Sequence, residues 1–510
     1  MSRVQKIPTV AIERMRDVKQ LLTFYAENKQ TLNPSQLAAI TRNLGVAFRM
    51  GRRDNMVDIN DDRFREIIQC QTATVQNLPA PAIADLAEAI NTFPPRNRLE
   101  PLLLPLADKL SSRVIDLARE MSPDELTLSI RALCATRERC KTVLNDRGFA
   151  ELTSSINRQL PSFAHHNCRM VLQAMHFWPW ASDTTKTAHA VLNRLRSVVD
   201  NVTGVDAVRT LITILTAPNF IRNYRSDVKT KLVYSIFRGW NNLNSNAKVD
   251  AVKIIASRGR DILRLNGELT KNMHILMTNL ADELSVENAS DFILSAAYLD
   301  KNIPQLSVLI EKFATQRLAA ASLYEKVDVL WAMARMHGKD PVVFEKSTFD
   351  KVFTSAISSF RVDESNPAVL AKLLDVVVFA GPDATVPGSI QALLTDADSK
   401  RVTVELASKN GRVIESALAQ VKSEAFSPLK LRCNVPMGSY RVAFFDDAQK
   451  IAVDFEPRDF FMCNSQRQKN MDDRGIKFVT IPDEGFGSSG PAAYVQRILE
   501  SRVKMTEVKE

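Results

Sequence analysis

Residues 122–136 have the sequence SPDELTLSIRALCAT, which combines a helix cap with apolar residues at helical spacing. Ser122 can cap a helix, Pro123 stands where a missing N–H costs nothing, and Glu125 can bond back to complete a capping box. The apolar residues that follow recur at helical spacing and share one face. They are Leu126, Ile130 and Leu133. The stretch therefore predicts a helix that must bury an apolar stripe against a neighbour.

The same phrase recurs through the first three quarters of the chain, at intervals of about 37 to 45 residues. A second helical segment lies between successive copies, for example LLLPLADKLSSRVIDLA over 102–118. Because one helical pair cannot bury its apolar face alone, the pairs are expected to stack. This predicts a mostly α protein with an α-solenoid of helical-hairpin repeats over residues 1–380. The copies begin near Asn33, Leu78, Ser122, Ala164, Thr203, Asn244, Ser285, Ser322 and Asn366.

Composition narrows the classes of function. The 510 residues include only 16 glycines, which favours helices, and carry a net charge of +9, a basic excess that suits contact with a polyanion. The cysteines are scattered and the histidines form no spaced ligand set, so neither a disulfide framework nor a metal site is expected. No cofactor is expected either. No apolar run approaches the roughly 20 residues that span a bilayer, and no membrane contact is expected.

The pattern changes after the last repeat. Residues 381–430 are predicted to form a connector or cap, and RVTVELASKN over 401–410 is interpreted either as a strand or as part of that cap. In residues 431–510, Tyr440 to Phe445 and Lys450 to Glu456 alternate as the two strands of a hairpin. A helix over Ser465 to Asp473, an apolar strand over Ile476 to Ile481 and a terminal helix over Ala492 to Val503 follow.

This order, with the passages IAVDFEP (451–457) and RGIKFVTIP (474–482), resembles the RAP domain of organellar RNA-processing proteins. The resemblance covers about 65 residues from Tyr440 onward. In that family a helical-repeat region commonly precedes the domain. The resemblance implies a small α/β domain of the restriction-endonuclease type, RNA as a partner and a mitochondrial matrix location. The character of the whole chain is similar to kinetoplastid mitochondrial machinery such as the guide-RNA-binding accessory complex of RNA editing.

Nucleases of the restriction-endonuclease type use two acids and a lysine to hold a metal and activate water. Here Ala443 stands where the first acid would lie, while Asp454 and Glu456 alternate onto one face of the second strand. Lys469 is not at the expected spacing. Ala443 disfavours a metal-dependent RNA nuclease, and no catalytic residue is predicted.

The resemblance implies phosphate contacts by the basic residues of the C-terminal domain. They are Arg441, Arg458, Arg467, Lys469, Arg474 and Lys477. We therefore expect a non-catalytic subunit that binds single-stranded RNA, either guide RNA or mRNA, beside other protein subunits of a heteromeric complex. A protein-only scaffold that holds such subunits remains the alternative, since +9 is a moderate charge for this length.

Two further features of the sequence each allow two interpretations. The cluster HFWPW over 176–180 suits base stacking, and it equally suits a plug in the turn between two repeat helices. The first 20 residues carry five basic residues against Glu13 and Asp17, which is similar to an amphipathic targeting peptide and also to a simple first helix.

Overall fold

The fold is that of a computed structural model. The structure describes residues 12, 15, 17–49, 61–93, 100–140, 146–177, 182–222, 224–259, 262–263, 265–299, 303–337, 344–361, 366–380, 385–421, 428–437, 440–456, 471–472, 474–482 and 491–507. These residues are mostly helical, with a small four-stranded sheet near the C-terminus. None of the described helices is long and apolar enough to cross a membrane.

The chain divides into two compact units. Unit 1 comprises Met1–Ala247 with Asp261–Leu269, and unit 2 comprises Lys248–Arg260 with Thr270–Glu510. The helices of unit 1 are α1 (Val18–Asn28), α2 (Pro34–Arg49), α3 (Asp62–Thr74), α4 (Ala80–Thr92), α5 (Glu100–Leu117), α6 (Pro123–Cys140), α7 (Asp146–Gln159), α8 (His165–Ala174), α9 (Ser182–Val198), α10 (Gly204–Thr216), α11 (Asn219–Arg222) and α12 (Ser226–Arg238).

Helix α13 (Ser245–Arg258) follows, with most of its length in unit 2. The remaining helices are α14 (Gly267–Glu283), α15 (Ala289–Tyr298), α16 (Leu306–Lys312), α17 (Leu323–Met336), α18 (Lys346–Ser359), α19 (Pro367–Ala380), α20 (Gly388–Ala407), α21 (Lys409–Gln420) and α22 (Pro491–Glu507). A π-helical turn over Phe313–Arg317 extends α16.

Each predicted repeat start lies at or just before the beginning of a helix or helical turn. At Ser122 the capping box forms as expected: the Ser122 N–H donates to Glu125 Oε2 at 2.8 Å, and the Glu125 N–H donates to Ser122 Oγ at 3.4 Å. Ser322 and Glu325 repeat the same box at the start of α17. The predicted stripe of Leu126, Ile130 and Leu133 is buried, so the local signals and the burial agree.

Helices two apart in the chain pack against each other. In unit 1, α2 packs on α4, α4 on α6 and α6 on α8, while α3, α5, α7 and α9 form a second such series. In unit 2, α15 packs on α17 and α17 on α19. Each helix of one series also contacts its chain neighbour in the other, as α5 does with α4 and α6. The apolar stripe of a helix is thereby buried both by helices of its own series and by a helix of the other series.

The sheet has the strand order β1-β2-β3-β4. Its strands are β1 (Leu431–Met437), β2 (Tyr440–Asp446), β3 (Ile451–Glu456) and β4 (Lys477–Pro482). β1 and β2 pair antiparallel, as do β2 and β3, whereas β3 and β4 pair parallel. The predicted hairpin and third strand are thus present, and β1 was not foreseen. Of the helix predicted over 465–473, only Met471 and Asp472 lie within the described residues.

Helices α20, α21 and α22 pack with the sheet around one core. Val402 of α20 and Leu418 of α21 share that core with Phe444 and Val453 of the sheet and with Leu499 of α22. The region predicted as connector or cap therefore contributes side chains to the same core as the strands. The proposed borders at 380 and 430 stay predictions.

The strand alternative for residues 401–410 is wrong, because residues 388–407 form one helix. In a strand Val402 and Val404 would share one face, yet Val402 is fully buried and Val404 is 70% exposed. Ion pairs at helical spacing support the helix instead: Lys400 pairs with Asp396 at 2.8 Å, and Arg401 pairs with Glu405 at 2.8 Å.

Candidate nucleic-acid interface

The structure describes half of the basic residues predicted to contact RNA. Arg441, Arg474 and Lys477 lie within the described part of the chain. Arg458, Arg467 and Lys469 lie outside it.

Arg441 lies at the start of β2 and is held by its own sheet. Its Nε donates to Asn434 Oδ1 at 2.7 Å, and its Nη2 donates to the Asn434 carbonyl at 2.7 Å. Asn434 has a φ of 51°, a left-handed conformation that asparagine tolerates better than most residues. The Arg441 N–H donates to Asp398 Oδ2 at 2.6 Å. The guanidinium therefore serves an internal contact, and only part of it faces solvent.

Arg474 and Lys477 lie at the opposite end of the sheet. Lys477 begins β4, pairs with Ile451 and donates its N–H to the Lys450 carbonyl at 2.8 Å. Arg474 is exposed in the turn just before it. Since Ile451 also pairs with Asp446, this end is five residues along β2 from Arg441, or about 17 Å at the usual rise per residue. The structure brings Arg474 and Lys477 together and leaves Arg441 apart.

Lys450 is a basic residue of this end that the sequence analysis missed. It is exposed, has a φ of 54°, and its Nζ lies 5.9 Å from the centroid of the Phe445 ring. Its place as the first residue of the predicted second strand was the available signal, because the residue that closes a hairpin turn, here the turn over 447–450, lies at an end of the sheet. Lys450, Arg474 and Lys477 are hereafter called the basic end.

A buried cluster of charges surrounds Arg401 between α20 and the sheet. Its guanidinium donates to Asp398 Oδ1 at 3.0 Å, Glu405 Oε2 at 2.8 Å and Asp454 Oδ2 at 3.2 Å. A fourth acceptor is the Arg441 carbonyl at 3.3 Å. Burial alone would lower the pKa of Arg401, but the three nearby carboxylates raise it above its ordinary value. Arg401 is therefore a permanent internal cation.

Asp454 is the acid on which any nuclease chemistry would depend, and its oxygens are occupied. It is 1% exposed; Oδ2 accepts from Arg401, and Oδ1 accepts from the Phe455 N–H at 3.1 Å. Ala443 lies on β2, the strand that pairs antiparallel with the strand of Asp454. Ala443 is fully buried and offers no ligand. Glu456 falls in β3, but its side chain is outside the described residues.

No metal-binding constellation of three or more His, Cys, Asp or Glu side chains occurs within the described ranges.

Several arginines of the helical region pair with acids of neighbouring helices. Arg42 of α2 contacts Asp85 at 3.2 Å and Glu88 at 2.9 Å, both on α4. Arg169 of α8 contacts Asp206 of α10 at 3.0 Å. Such pairs reduce the positive potential that the helices present to a phosphate.

The aromatic cluster HFWPW is described only at His176 and Phe177. Trp178, Pro179 and Trp180 lie outside the described residues, so the stacking hypothesis for them stays a prediction. Burial lowers the pKa of His176, against an opposing effect of the Thr213 backbone. This partly buried position agrees with a plug in a turn for the described part of the cluster.

A scan against protein-family models gives no match to this chain. A search of the curated proteins gives none either.

Proposed function

We propose that this protein is a non-catalytic RNA-binding subunit of a mitochondrial ribonucleoprotein that processes or edits RNA. The observation that carries the proposal is the succession of packed helical pairs and a four-stranded sheet with a basic end. The helices offer extended surface, and the basic end offers phosphate contacts. The mitochondrial location and the editing context rest on the resemblance to RAP-domain proteins. Other subunits of the complex are part of the proposal.

We infer further that the helical pairs in each unit are stretches of an α-solenoid. The support is that helices two apart in the chain pack together in two series, which is how helical-hairpin repeats stack. The strand order, with an antiparallel hairpin followed by a parallel β4 and a terminal helix, supports a RAP-like, restriction-endonuclease-like domain.

We do not propose metal-dependent RNA cleavage, because Ala443 and Asp454 are unsuited to hold the metal. The metal site implied by the resemblance needs a carboxylate where this chain has Ala443, and a second whose oxygens are free to bind a cation. Asp454 already accepts from Arg401 and from a backbone N–H. These residues do not fit a divalent metal.

A protein-only scaffold is the second candidate. It is favoured by the ion pairs of Arg42 and Arg169 with acids of neighbouring helices, since these arginines are committed to contacts within the protein.

The test is binding of the full chain to labelled single-stranded RNA of about 40 nucleotides over a salt series, because log K falls with log salt in proportion to the phosphates contacted. We expect tight binding with a steep slope. Reversing the basic end with Lys450→Glu, Arg474→Glu and Lys477→Glu should weaken binding at least tenfold and flatten the slope by about two to three.

Arg432→Glu is the matched control, because Arg432 lies on the same sheet but pairs with Asp447 at 2.6 Å. It should leave the salt slope nearly unchanged. Lack of RNA binding by the wild-type chain even at low salt would overturn the proposal in favour of the scaffold.

A further inference from the structure

Unit 1 carries a flat stack of side chains near the start of α12. The rings of His189 and Tyr224 lie parallel, with centroids 3.8 Å apart and planes 7° apart. The guanidinium of Arg225 lies over the Tyr224 ring, with Cζ 5.4 Å from the centroid. All three side chains are half-buried, so the stack reaches the surface.

Two elements position the stack. His189 and Asn193 lie one turn apart on α9 and so share a face. Asn193 Oδ1 accepts from Arg225 Nε at 2.8 Å and from the Tyr224 hydroxyl at 3.5 Å. One amide of α9 thereby orients both members that come from the connection between α11 and α12.

Arg225 keeps an unfavourable backbone conformation. Its φ of 55° and ψ of 65° are left-handed, a region that favours glycine and is uncommon for a long side chain. The Tyr224 N–H donates to the Ile221 carbonyl at 3.2 Å, and the Val228 N–H donates to the Arg225 carbonyl at 3.2 Å. Such strain concentrates at binding sites, where the surrounding structure holds a side chain in place.

The Arg225 guanidinium donates to a neutral amide, that of Asn193, and not to a carboxylate. Arg42, Arg119 and Arg169 are each bonded to a carboxylate. The acid closest in sequence, Asp227, pairs with Arg196 at 2.6 Å. A guanidinium fixed by an amide keeps its full positive charge for a ligand.

We propose that His189, Tyr224 and Arg225 form a nucleotide-binding site for single-stranded RNA. A base extends the stack, and the adjoining phosphate lies against the Arg225 guanidinium. The inference rests on the proposed RNA-binding function and adds a specific site, distant in sequence from the basic end. Parallel rings and a planar guanidinium suit the flat face of a base. An acidic peptide would use the charge of Arg225 but gain little from the rings, so RNA is the favoured ligand.

The test combines binding with crosslinking, using the full chain and a labelled single-stranded RNA. Arg225→Gly removes the charge and relieves the positive φ, so the fold is maintained or strengthened. We expect a loss of RNA affinity of about tenfold and a salt slope lower by about one. His189→Ala should lose affinity at every salt concentration, while His189→Phe, which keeps a stacking ring, should restore most of it.

Arg119→Gln is the matched control. It removes one exposed arginine of unit 1 that is bonded to Glu151, and it should bind RNA as the wild type does. RNA that contains 4-thiouridine should crosslink to the peptide containing Tyr224.

Wild-type RNA binding that is unchanged by Arg225→Gly and by His189→Ala would overturn the site and leave the proposed function standing. No wild-type binding would overturn both. Loss of a protein partner in these variants, with RNA affinity intact, would assign the stack to a protein interface and overturn the RNA site.

Discussion

Arg401 is the residue around which the sheet and α20 are joined. Its three carboxylate partners come from both sides of one helical turn and from β3, and its side chain is only 14% exposed. A buried charge that loses its partners is much more costly than an exposed one, because the low-polarity surroundings cannot solvate it. Two of these pairs, Asp398 with Arg401 and Arg401 with Glu405, are three and four residues apart and follow from the helix itself. The sequence could not reveal Asp454 as a third partner, which is 53 residues away.

Arg401→Met should therefore destabilise unit 2 by about 3–5 kcal/mol, since the buried Asp454 would lose the Arg401 cation. Chemical denaturation of the full chain, followed by a probe in the sheet, measures the effect. Arg432→Met serves as control, because the exposed Arg432–Asp447 pair should be worth only about 0–1 kcal/mol. Equal effects of the two substitutions would contradict a structural role for the buried cluster.

For the secondary-structure elements, the sequence predicted helix starts best where a capping residue and apolar periodicity occurred together. Caps such as Ser122 and Ser322 combined with apolar periodicity, and helices begin there. β1 was missed because Asn434, with its positive φ, and Pro436 interrupt the strand pattern. The 388–407 helix was missed because its exposed Val404 imitates strand alternation. In both cases the partner that stabilises the element lies far away in sequence.

The connection between α20 and α21 leaves no room for a side chain at Gly411. A Cβ on Gly411 would lie 2.1 Å from the Glu405 carbonyl oxygen and 2.8 Å from that of Leu406, both backbone atoms. Gly411→Ala should therefore separate the two helices and destabilise unit 2 by about 1–3 kcal/mol, as overpacking does. Thermal unfolding and hydrogen exchange in α21 measure this.

Gly388→Ala is the matched control at the first residue of α20, where an added Cβ meets nothing within 4 Å. It should be neutral or stabilising by up to about 1 kcal/mol, because alanine favours the helix. If Gly411→Ala were equally harmless, the close approach of the two helices would not be a constraint.

At the scale of the molecule, unit 2 unites helical pairs and a sheet through buried polar contacts. Asp375 of α19 is 3% exposed and accepts from Trp331 Nε1 of α17 and from the Tyr440 hydroxyl of β2, each at 3.3 Å. The basic character of the C-terminal residues was foreseeable from composition. Which of them lie together was not, because the distance between Arg441 and the basic end depends on strand register.

Asp375→Leu should leave two buried donors without this acceptor, each at a cost of about 1–3 kcal/mol. We expect faster hydrogen exchange in α17, α19 and β2 together, since the carboxylate links all three. Tyr440→Phe removes one donor only and should cause a smaller change. Faster exchange confined to α19 would show that Asp375 does not couple the sheet to the helices.

The Asp375 carboxylate also limits which part of this chain can be transferred to another protein as one unit. A terminal domain that can be moved from one protein to another must carry all partners of its buried polar groups. Tyr440 finds its acceptor 65 residues upstream, on a helix that itself packs with α17. Transfer of residues 431–510 to another protein would separate that hydroxyl from Asp375, so a transferable unit that keeps this contact includes α19.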